Sequence, residues 1–373
     1  MISRVCIVAR ECDGYAGAGG LKDVVRGLAD ALTARGVSVV IIIPRYGFMS
    51  PGEPLFDLTI RADGRDRSIS VTGMERDGLS LRFIDAPEFS TKDGIYTYTD
   101  EDAPEPALVG KGHLDAPMMN VILQAGAVAL LMKEGPAPDI IHGHDGHCGL
   151  LSLYMRREET HAAFFADTAC LVTIHNAATA YQQSIISVEE ASRLSGLDKR
   201  FLALGLVDGS VNPLLIAGIF GNINTVSPDY SKELTNGADP YSGSLGYEFR
   251  RRHIPVPGIY NGIAADDWLR RSGGAAEKSS IRRRLARSLG RGRFEGVNIF
   301  GNRPNPNRPW LVFHGRLTQQ KGLDEILNLP EGLLGRSGGT LIIYGQGDPA
   351  IEHQLKSRTA DEDTWTFLRG YDE

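Results

Sequence analysis

The chain has 373 residues, of which 42% are hydrophobic and 23% are charged, a composition typical of soluble globular proteins. This length predicts two domains, each with its own core. The net charge of −6 argues against general nucleic-acid binding, and the four cysteines, which form no CxxC pair, favour a reducing compartment. No signal peptide precedes the first apolar run, and no such run approaches the roughly 20 residues of a membrane helix. We therefore expect a cytoplasmic protein with neither a nucleic-acid nor a membrane partner.

Strand and helix patterns alternate from the N-terminus, as they do in parallel α/β sheets. An apolar run at Val5–Ala9 predicts a strand, and a glycine-rich turn follows from Gly14 to Gly20. Apolar residues at helical spacing then predict a helix that ends near Gly36, and Val37–Ile43 predicts a strand buried on both faces. Together these segments predict a right-handed βαβ unit.

The pattern weakens between Pro51 and Pro117, where short alternating segments such as Leu79–Ile84 predict antiparallel hairpins and loops. Regular order returns after Pro117. The elements predicted from there to residue 255 are a helix at Met118–Lys133, a strand at Asp139–Gly143, a helix after His147, a strand at Cys170–His175, a helix capped by Ser187 and Glu190, a strand at Ile223–Val226, and a helix that begins at Ser227-Pro228.

A domain boundary is predicted near Pro255-Val-Pro257, which gives domains over residues 1–255 and 256–373. Two segments rich in Gly, Ser, Arg, Asn and Pro follow it, Ser272–Ser280 and Arg287–Pro309, and they flank a short helical stretch. The second domain then shows only three clear strands, which alternate with helices. These elements are a strand at Trp310–Gly315, a helix at Gln320–Asn328, a strand at Thr340–Tyr344, a helix at Pro349–Lys356 and a strand at Thr364–Leu368. The fold class is α/β, with a parallel sheet in each domain.

Arg316 and Lys321 lie in the predicted turn between the strand at Trp310–Gly315 and the next helix. Backbone N–H groups and the helix dipole favour an anion at such a turn. An isolated pair of cations at this spacing is usually two solvated surface residues. In this context, however, two fixed positive charges suit a diphosphate better than a single carboxylate, and we predict that they bind one.

The glycine-rich turn that ends in Gly20-Leu-Lys-Asp23 allows the backbone to approach a ligand closely. A dinucleotide site is disfavoured, because Lys22 stands where the third glycine of that fingerprint belongs. The next strand also ends in Pro44-Arg45-Tyr46, without the acidic residue that would bind a ribose. Contact with a phosphate or a sugar is favoured over a purely structural turn, and both interpretations stay open.

Polar residues also follow two further predicted strands, in His142-Gly-His-Asp-Gly-His147 and Thr173-Ile-His-Asn176. Open α/β sheets bind ligands at the carboxyl ends of their strands. Imidazole and carboxylate are ordinary zinc ligands, but the first motif departs from the metallo-hydrolase spacing His-x-His-x-Asp-His. Hydrogen bonding to a sugar is therefore favoured over a metal site, and His175 and Asn176 are expected to bind hexose hydroxyls.

Six motifs agree in identity and order with those of bacterial glycogen synthases and plant starch synthases. They are Gly19-Gly-Leu-x-Asp-Val24, His142-x-His-Asp145-x-His147, Thr173-Ile-His-Asn176, Thr225-Val-Ser-Pro228, Asn261-Gly-Ile with Trp268, and Arg316-Leu-Thr-x-Gln-Lys-Gly-Leu-Asp324. The chain resembles this family of retaining glucosyltransferases over nearly its whole length. The resemblance implies the GT-B architecture, in which two Rossmann-type domains face a cleft. It also implies that the second domain is incomplete, because the family continues beyond the position of Glu373 to a glutamate-containing loop and a helix that crosses back to the first domain.

The resemblance further implies transfer of glucose from ADP-glucose to the non-reducing end of an α-1,4-glucan, with retention and without a metal or other cofactor. The implied catalytic residues are His175, Asp145, Arg316 and Lys321, and the last two stabilise the diphosphate as it leaves. The implied donor-binding residues are Gly17, Gly19, Gly20, Asn261, Arg316, Lys321, Gly345 and Gly347, and the sugar- or acceptor-binding residues are Glu11, His144, His147, Asn176 and Tyr181.

One residue departs from the family pattern within these motifs. The family carries a phosphate-binding lysine where this chain has Gly17, and Lys22 lies too far along the helix to be assumed a substitute. This departure keeps two alternatives open: a catalytically weak or inactive relative that binds glucan or nucleotide, and a GT-B transferase that uses another nucleotide sugar.

Overall fold

The computed structural model describes residues 2–76, 78–262, 275–290, 296–318 and 321–370. The chain divides into two compact units, Met1–Ile263 and Ala264–Glu373. The first unit extends beyond the predicted boundary at residue 255. Two hydrogen bonds attach the following segment to it, from the Thr225 N–H to Pro257 O and from the Ile259 N–H to Thr225 O. The segment around Trp268 lies outside the described residues.

The first unit is built on a mixed sheet that has eight strands among the described residues, in the order β10-β7-β6-β1-β2-β5-β4-β3. Neighbours are parallel from β10 to β5, whereas β5, β4 and β3 pair antiparallel. The strands are β1 (Arg4–Val8), β2 (Ser38–Pro44), β3 (Glu53–Ala62), β4 (Arg65–Arg76), β5 (Leu79–Asp85), β6 (Ile140–His144), β7 (Ala169–Ile174), the short pair β8 (Leu206–Val207) and β9 (Ser210–Val211), and β10 (Asn222–Thr225). The predicted βαβ unit and the hairpins after Pro51 are both confirmed.

Helices cover both faces of the parallel part, which is why β2 is buried from Val39 to Pro44. They are α1 (Leu21–Thr33), α2 (Pro87–Ser90), α3 (Ala116–Glu134), α4 (Leu151–Tyr154), α5 (Glu159–Phe164), α6 (Val188–Ser195), α7 (Lys199–Leu202), α8 (Pro213–Phe220), α9 (Pro228–Asn236) and α10 (Leu245–Arg251). The predicted caps of α6 and α9 are confirmed, because Ser187 Oγ accepts the Glu190 N–H and Ser227 Oγ accepts the N–H groups of Asp229 and Tyr230.

Helix α3 is more apolar than a surface helix. It has 19 residues and a mean hydropathy of 1.4, so its length and composition match those of a membrane span, but 67% of its apolar window is buried inside the protein. Because a core helix of a soluble protein has the same properties, α3 gives no ground for expecting a membrane.

The second unit contains a sheet of four strands among the described residues, in the order β11-β14-β13-β12. The strands are β11 (Asn298–Gly301), β12 (Trp310–His314), β13 (Thr340–Gly345) and β14 (Trp365–Arg369), and the helices are α11 (Ala275–Gly290), α12 (Leu323–Leu327), α13 (Leu333–Ser337) and α14 (Pro349–Asp361). The prediction of only three strands is wrong, because β11 pairs antiparallel with β14. The 16 residues of α11 also exceed the short helical stretch expected there.

Among the strands that the structure describes, β12 lies at an edge of this sheet, and two of its apolar side chains are exposed, Leu311 by 48% and Val312 by 61%. Exposed apolar edge strands promote pairing between molecules. We expect Val312→Lys to reduce self-association in concentration-dependent light scattering, with a change in unfolding free energy within about 0.5 kcal/mol, as is usual for exposed sites. Leu114→Lys is the matched control, because Leu114 is 72% exposed but lies outside the strands. An equal effect of both variants would contradict a role of the edge.

Candidate active site

Three neighbouring parallel strands, β1, β6 and β7, end at the same edge of the first sheet. The residues that follow them there are Glu11, Asp145 and His175. The structure therefore brings together the polar motifs that the sequence places after separate strands, as expected at the carboxyl edge of a parallel sheet.

Glu11 fixes the glycine-rich turn through hydrogen bonds. Its side chain is buried, and Oε2 accepts the backbone N–H groups of Ala18 at 2.6 Å and Gly19 at 2.8 Å. The hydroxyl of Tyr96 donates to Oε1 at 2.6 Å. Both carboxylate oxygens are thus bound to the protein, which gives Glu11 a positioning role in the turn. Its predicted contact with the acceptor stays a prediction.

The neighbouring guanidinium of Arg10 is buried as well. It donates to Tyr46 Oη at 2.8 Å, to Asn120 Oδ1 at 2.9 Å and to Ile95 O at 2.6 Å. It also lies 5.7 Å from the centroid of the Tyr96 ring. A buried charge is tolerated only when it is well hydrogen-bonded, and these contacts hold the Arg10 guanidinium beside Tyr96, which itself donates to Glu11.

Asp145 has an unusual backbone conformation, with φ 58° and ψ −175°. Such a conformation costs a non-glycine residue about 1–3 kcal/mol and is typical of functional sites. The carboxylate Oδ1 accepts the His175 N–H at 2.7 Å. Burial raises the pKa of Asp145 to about 7, although hydrogen bonds from the backbone N–H groups of His175 and Asn176 oppose this shift. The carboxyl group is therefore partly protonated near neutral pH.

The imidazoles at this edge form a neutral cluster. His144 Nδ1 lies 2.9 Å from His175 Nε2, and the rings of His142 and His144 stack with centroids 4.5 Å apart. Burial lowers the pKa values of His142 and His175 to about 4 and that of His144 well below its usual value. Thr173 Oγ1 donates to Asn224 Oδ1 and must therefore accept from His142 Nε2 at 2.7 Å, which fixes the tautomer of His142.

Among the described residues, no group of three or more His, Cys, Asp or Glu side chains is arranged to hold a metal ion. The imidazoles of His144 and His175 form a hydrogen bond with each other. His144 Nε2 and His147 Nδ1 are buried ring nitrogens with no partner in the described part of the protein. Buried polar atoms of this kind are usually satisfied by an ordered internal water.

The remaining predicted residues of the first unit lie in loops that follow β7 and β10. The amide oxygen of Asn176 accepts the Ala178 N–H at 2.8 Å, so it shapes its own loop. Tyr181 is half-buried in the next turn, and that turn packs closely on Gly146, beside His147. Asn261 is exposed at the end of the first unit's described residues.

In the second unit, Arg316 and Lys321 follow β12, at the position that the sequence predicts, and both are exposed. Their role in binding a diphosphate stays a prediction. Between them, Leu317 is fully buried, its N–H donates to Gln346 O, and its carbonyl accepts the Asp348 N–H. These bonds fix the segment against the turn that contains Gly345 and Gly347.

The two glycines of that turn are required by this packing. A Cβ on Gly345 would lie 2.0 Å from Gly315 O, and one on Gly347 would lie 2.3 Å from Leu317 O. Close backbone contact alone accounts for both glycines, and their donor-binding role stays a prediction. Helix α12 spans Leu323–Leu327, and its expected start at Gln320 lies outside the described residues. The five residues of α12 supply only a weak dipole for anion binding.

Sequence reasoning missed the supports of the site, Arg10, Tyr96 and Tyr230. The Tyr230 hydroxyl accepts the Ala177 N–H at 2.8 Å and so fixes the loop after His175. Arg10 directly follows a strand and could have been noticed as a charged residue at the sheet edge. Tyr96 gave no local signal, because it lies in the weakly patterned region and meets Glu11 only through the fold.

The raised pKa of Asp145 predicts a pH dependence of stability. The folded value of about 7 lies above that of an unfolded aspartate, about 3.9. Asp145 therefore contributes stability below about pH 4, and this contribution is lost as the pH rises through about 7. We expect the unfolding free energy of the wild type, relative to Asp145→Asn in urea titrations, to fall across this range and then to level off. The buried histidines titrate in both proteins and largely cancel, and a constant difference would contradict the shift.

The sequence that forms this site is similar to that of known proteins. Residues 4–248 match the glycosyltransferase family 5 model, described as the starch synthase catalytic domain. A glycogen synthase of Photobacterium profundum is 26% identical over 381 residues, which cover 99% of this chain and 71% of that protein. A glycogen synthase of Roseobacter denitrificans is 30% identical over 360 residues, which cover 94% of this chain and 70% of that protein.

A solved structure agrees in fold. The catalytic domain of starch synthase IV from Arabidopsis thaliana, bound to ADP and acarbose, matches with a TM-score of 0.76 and 24% identity over 100% of this chain and 75% of that chain. This likeness confirms the predicted GT-B fold. Because the family model matches well over half of the sequence, the chain belongs to the family of starch synthase catalytic domains.

Proposed function

We propose that the protein is a retaining glucosyltransferase that moves glucose from ADP-glucose to the non-reducing end of an α-1,4-glucan. The observation that carries the proposal is the hydrogen bond from the His175 N–H to the Asp145 carboxylate, which joins the ends of two adjacent parallel strands. This pair lies within the part of the chain that matches the family. The glycogen synthases and the ADP-bound starch synthase among its relatives support the same donor and acceptor.

The chemistry needs negative charge to be stabilised on the leaving diphosphate and positive charge to be tolerated on the sugar. Arg316 and Lys321 meet the first need, because fixed cations act most strongly on charge that grows in the transition state. His175 meets the second, because a pKa of about 4 keeps its imidazole neutral. A neutral ring can hydrogen-bond a sugar hydroxyl without repelling an oxocarbenium-like centre.

The remaining predicted residues then divide between donor and acceptor. His144 and His147, which the resemblance assigns to the sugar, lie buried beneath this edge and would act from there on the acceptor side. The glycine-rich turn at Gly17–Gly20 and the exposed Asn261 serve the donor. We propose that the reaction uses no metal or other cofactor, and that the protein acts in the cytoplasm.

A catalytically weak relative is the second candidate, and Gly17 favours it. Loss of one phosphate-binding cation costs about 1–3 kcal/mol of transition-state stabilisation, which slows turnover without abolishing it. This candidate predicts that ADP and glucan bind while chain extension stays at the background rate. A different nucleotide sugar would show itself as faster extension with UDP- or GDP-glucose.

Incubation with radiolabelled ADP-glucose and maltoheptaose tests the proposal. We expect extended chains whose added glucose is released by an α-1,4-specific exo-glucosidase, and faster extension with ADP-glucose than with UDP- or GDP-glucose. Arg316→Ala and Lys321→Ala should each lower kcat/KM by roughly 10–100-fold, which is the range expected for a charge-assisted contact.

Arg336→Ala is the matched control for these variants. Arg336 is an exposed arginine of the same unit, and its side chain contacts Glu331 O. Removing it changes the net charge equally but takes nothing from the proposed site, so activity should be unchanged. Equal losses in all three variants would attribute the effect to net charge and would count against the proposed roles.

A further inference from the structure

We propose that Lys22 supplies the positive charge that the glycine-rich turn lacks at Gly17, so that its ammonium group binds the diphosphate of the donor. This inference rests on the proposed function and adds to it a residue of helix α1. It depends on where the side chain of Lys22 lies, which the sequence spacing does not indicate.

The stem of Lys22 occupies the space that a side chain at residue 17 would fill. A Cβ on Gly17 would lie 2.3 Å from Lys22 Cδ and 3.2 Å from Lys22 Cε. Lys22 is the second residue of α1, and helical side chains point back toward the N-terminus. The lysine therefore lies back over the turn, and the absence of a side chain at Gly17 makes this position possible.

The ammonium group is held in place there. Lys22 Nζ lies 2.9 Å from Asp13 Oδ1, and the Asp13 N–H donates to Lys22 O at 3.2 Å. The hydrogen bond from Lys22 lowers the pKa of Asp13, so Asp13 is the ionised partner of the pair. The Lys22 side chain is 26% exposed, against 49% for Asp13. The side chain is therefore partly accessible, and its contact with Asp13 orders it before an anion binds.

The other donors of the turn favour Lys22 as the contact. The N–H groups of Ala18 and Gly19 already donate to Glu11. An ammonium group has three N–H donors and no fixed plane, so it can contact a carboxylate and a phosphate oxygen at the same time. The N-terminus of the 13-residue helix α1 adds a favourable dipole. Asp13 and Asp23 reduce the local positive charge, so we expect the effect of a single, partly offset cation.

Lys22→Met is the decisive variant, because methionine keeps an unbranched stem over Gly17 and removes the charge. We expect ADP affinity, measured by calorimetry on the whole chain, to fall about tenfold, as for one charge-assisted contact. The thermal midpoint should stay within a few degrees of the wild type. The affinity of the wild type should also fall with salt more steeply than that of Lys22→Met.

A relocated lysine provides the complementary test. In Gly17→Lys with Lys22→Ala, the space over the turn is empty and a lysine at residue 17 can enter it, so ADP affinity should recover relative to Lys22→Ala alone. Gly17→Lys in the presence of Lys22 should bind ADP more weakly than this double variant, because the two stems compete for one space.

The outcomes separate this inference from the proposed function. If the wild type binds ADP and Lys22→Met binds it equally well, Lys22 is a packing residue and the inference fails while the proposed function stands. If affinity falls only together with the thermal midpoint, and the relocated lysine restores neither, the role is structural and the inference again fails. If the wild type neither binds ADP nor extends chains, both fail.

Discussion

The buried carboxylate of Glu11 is the constraint on which the first unit's site depends. It joins the end of β1 to the N–H groups of Ala18 and Gly19 and to the hydroxyl of Tyr96. A carboxylate buried this deeply is stable only with several charge-assisted bonds, so the turn cannot leave it without a large cost. The turn is therefore preorganised, and so is the position of Lys22, the second residue of the helix that follows.

Burial shifts several titratable side chains of the first unit's site toward their uncharged forms. At the carboxyl edge of the first sheet, the same desolvation lowers the pKa values of His142 and His175 and raises that of Asp145. Each group is thereby shifted toward its uncharged form. The exposed cations Arg316 and Lys321 belong instead to a backbone segment held by the buried Leu317. In the proposed reaction, the uncharged groups serve the sugar and the exposed cations serve the leaving diphosphate.

Two general rules allowed the sequence to predict that the polar motifs meet at one edge of the first sheet. Apolar runs mark β1, β6 and β7, and parallel strands share one carboxyl edge. The four-residue strand β11 escaped prediction because it lies in a Gly-, Arg-, Asn- and Pro-rich segment and is only partly buried. The contact between Tyr96 and Glu11 joins residues that are 85 positions apart. No local pattern encodes such a pair, so only the fold shows it.

At Gly17, the structure adds information that the sequence motif alone does not give, because it shows which side chain occupies the space beside this residue. At Gly345 and Gly347, a side chain is excluded because another backbone lies against the turn. At Gly17, what would meet a side chain is the stem of Lys22, which carries a charge of the kind that the family has at this position. In the proposal made above, Lys22 supplies from helix α1 the charge that the resemblance implies for residue 17, partly offset by Asp13 and Asp23. Gly17 leaves room for the Lys22 stem, so this glycine does not by itself remove the positive charge from the turn.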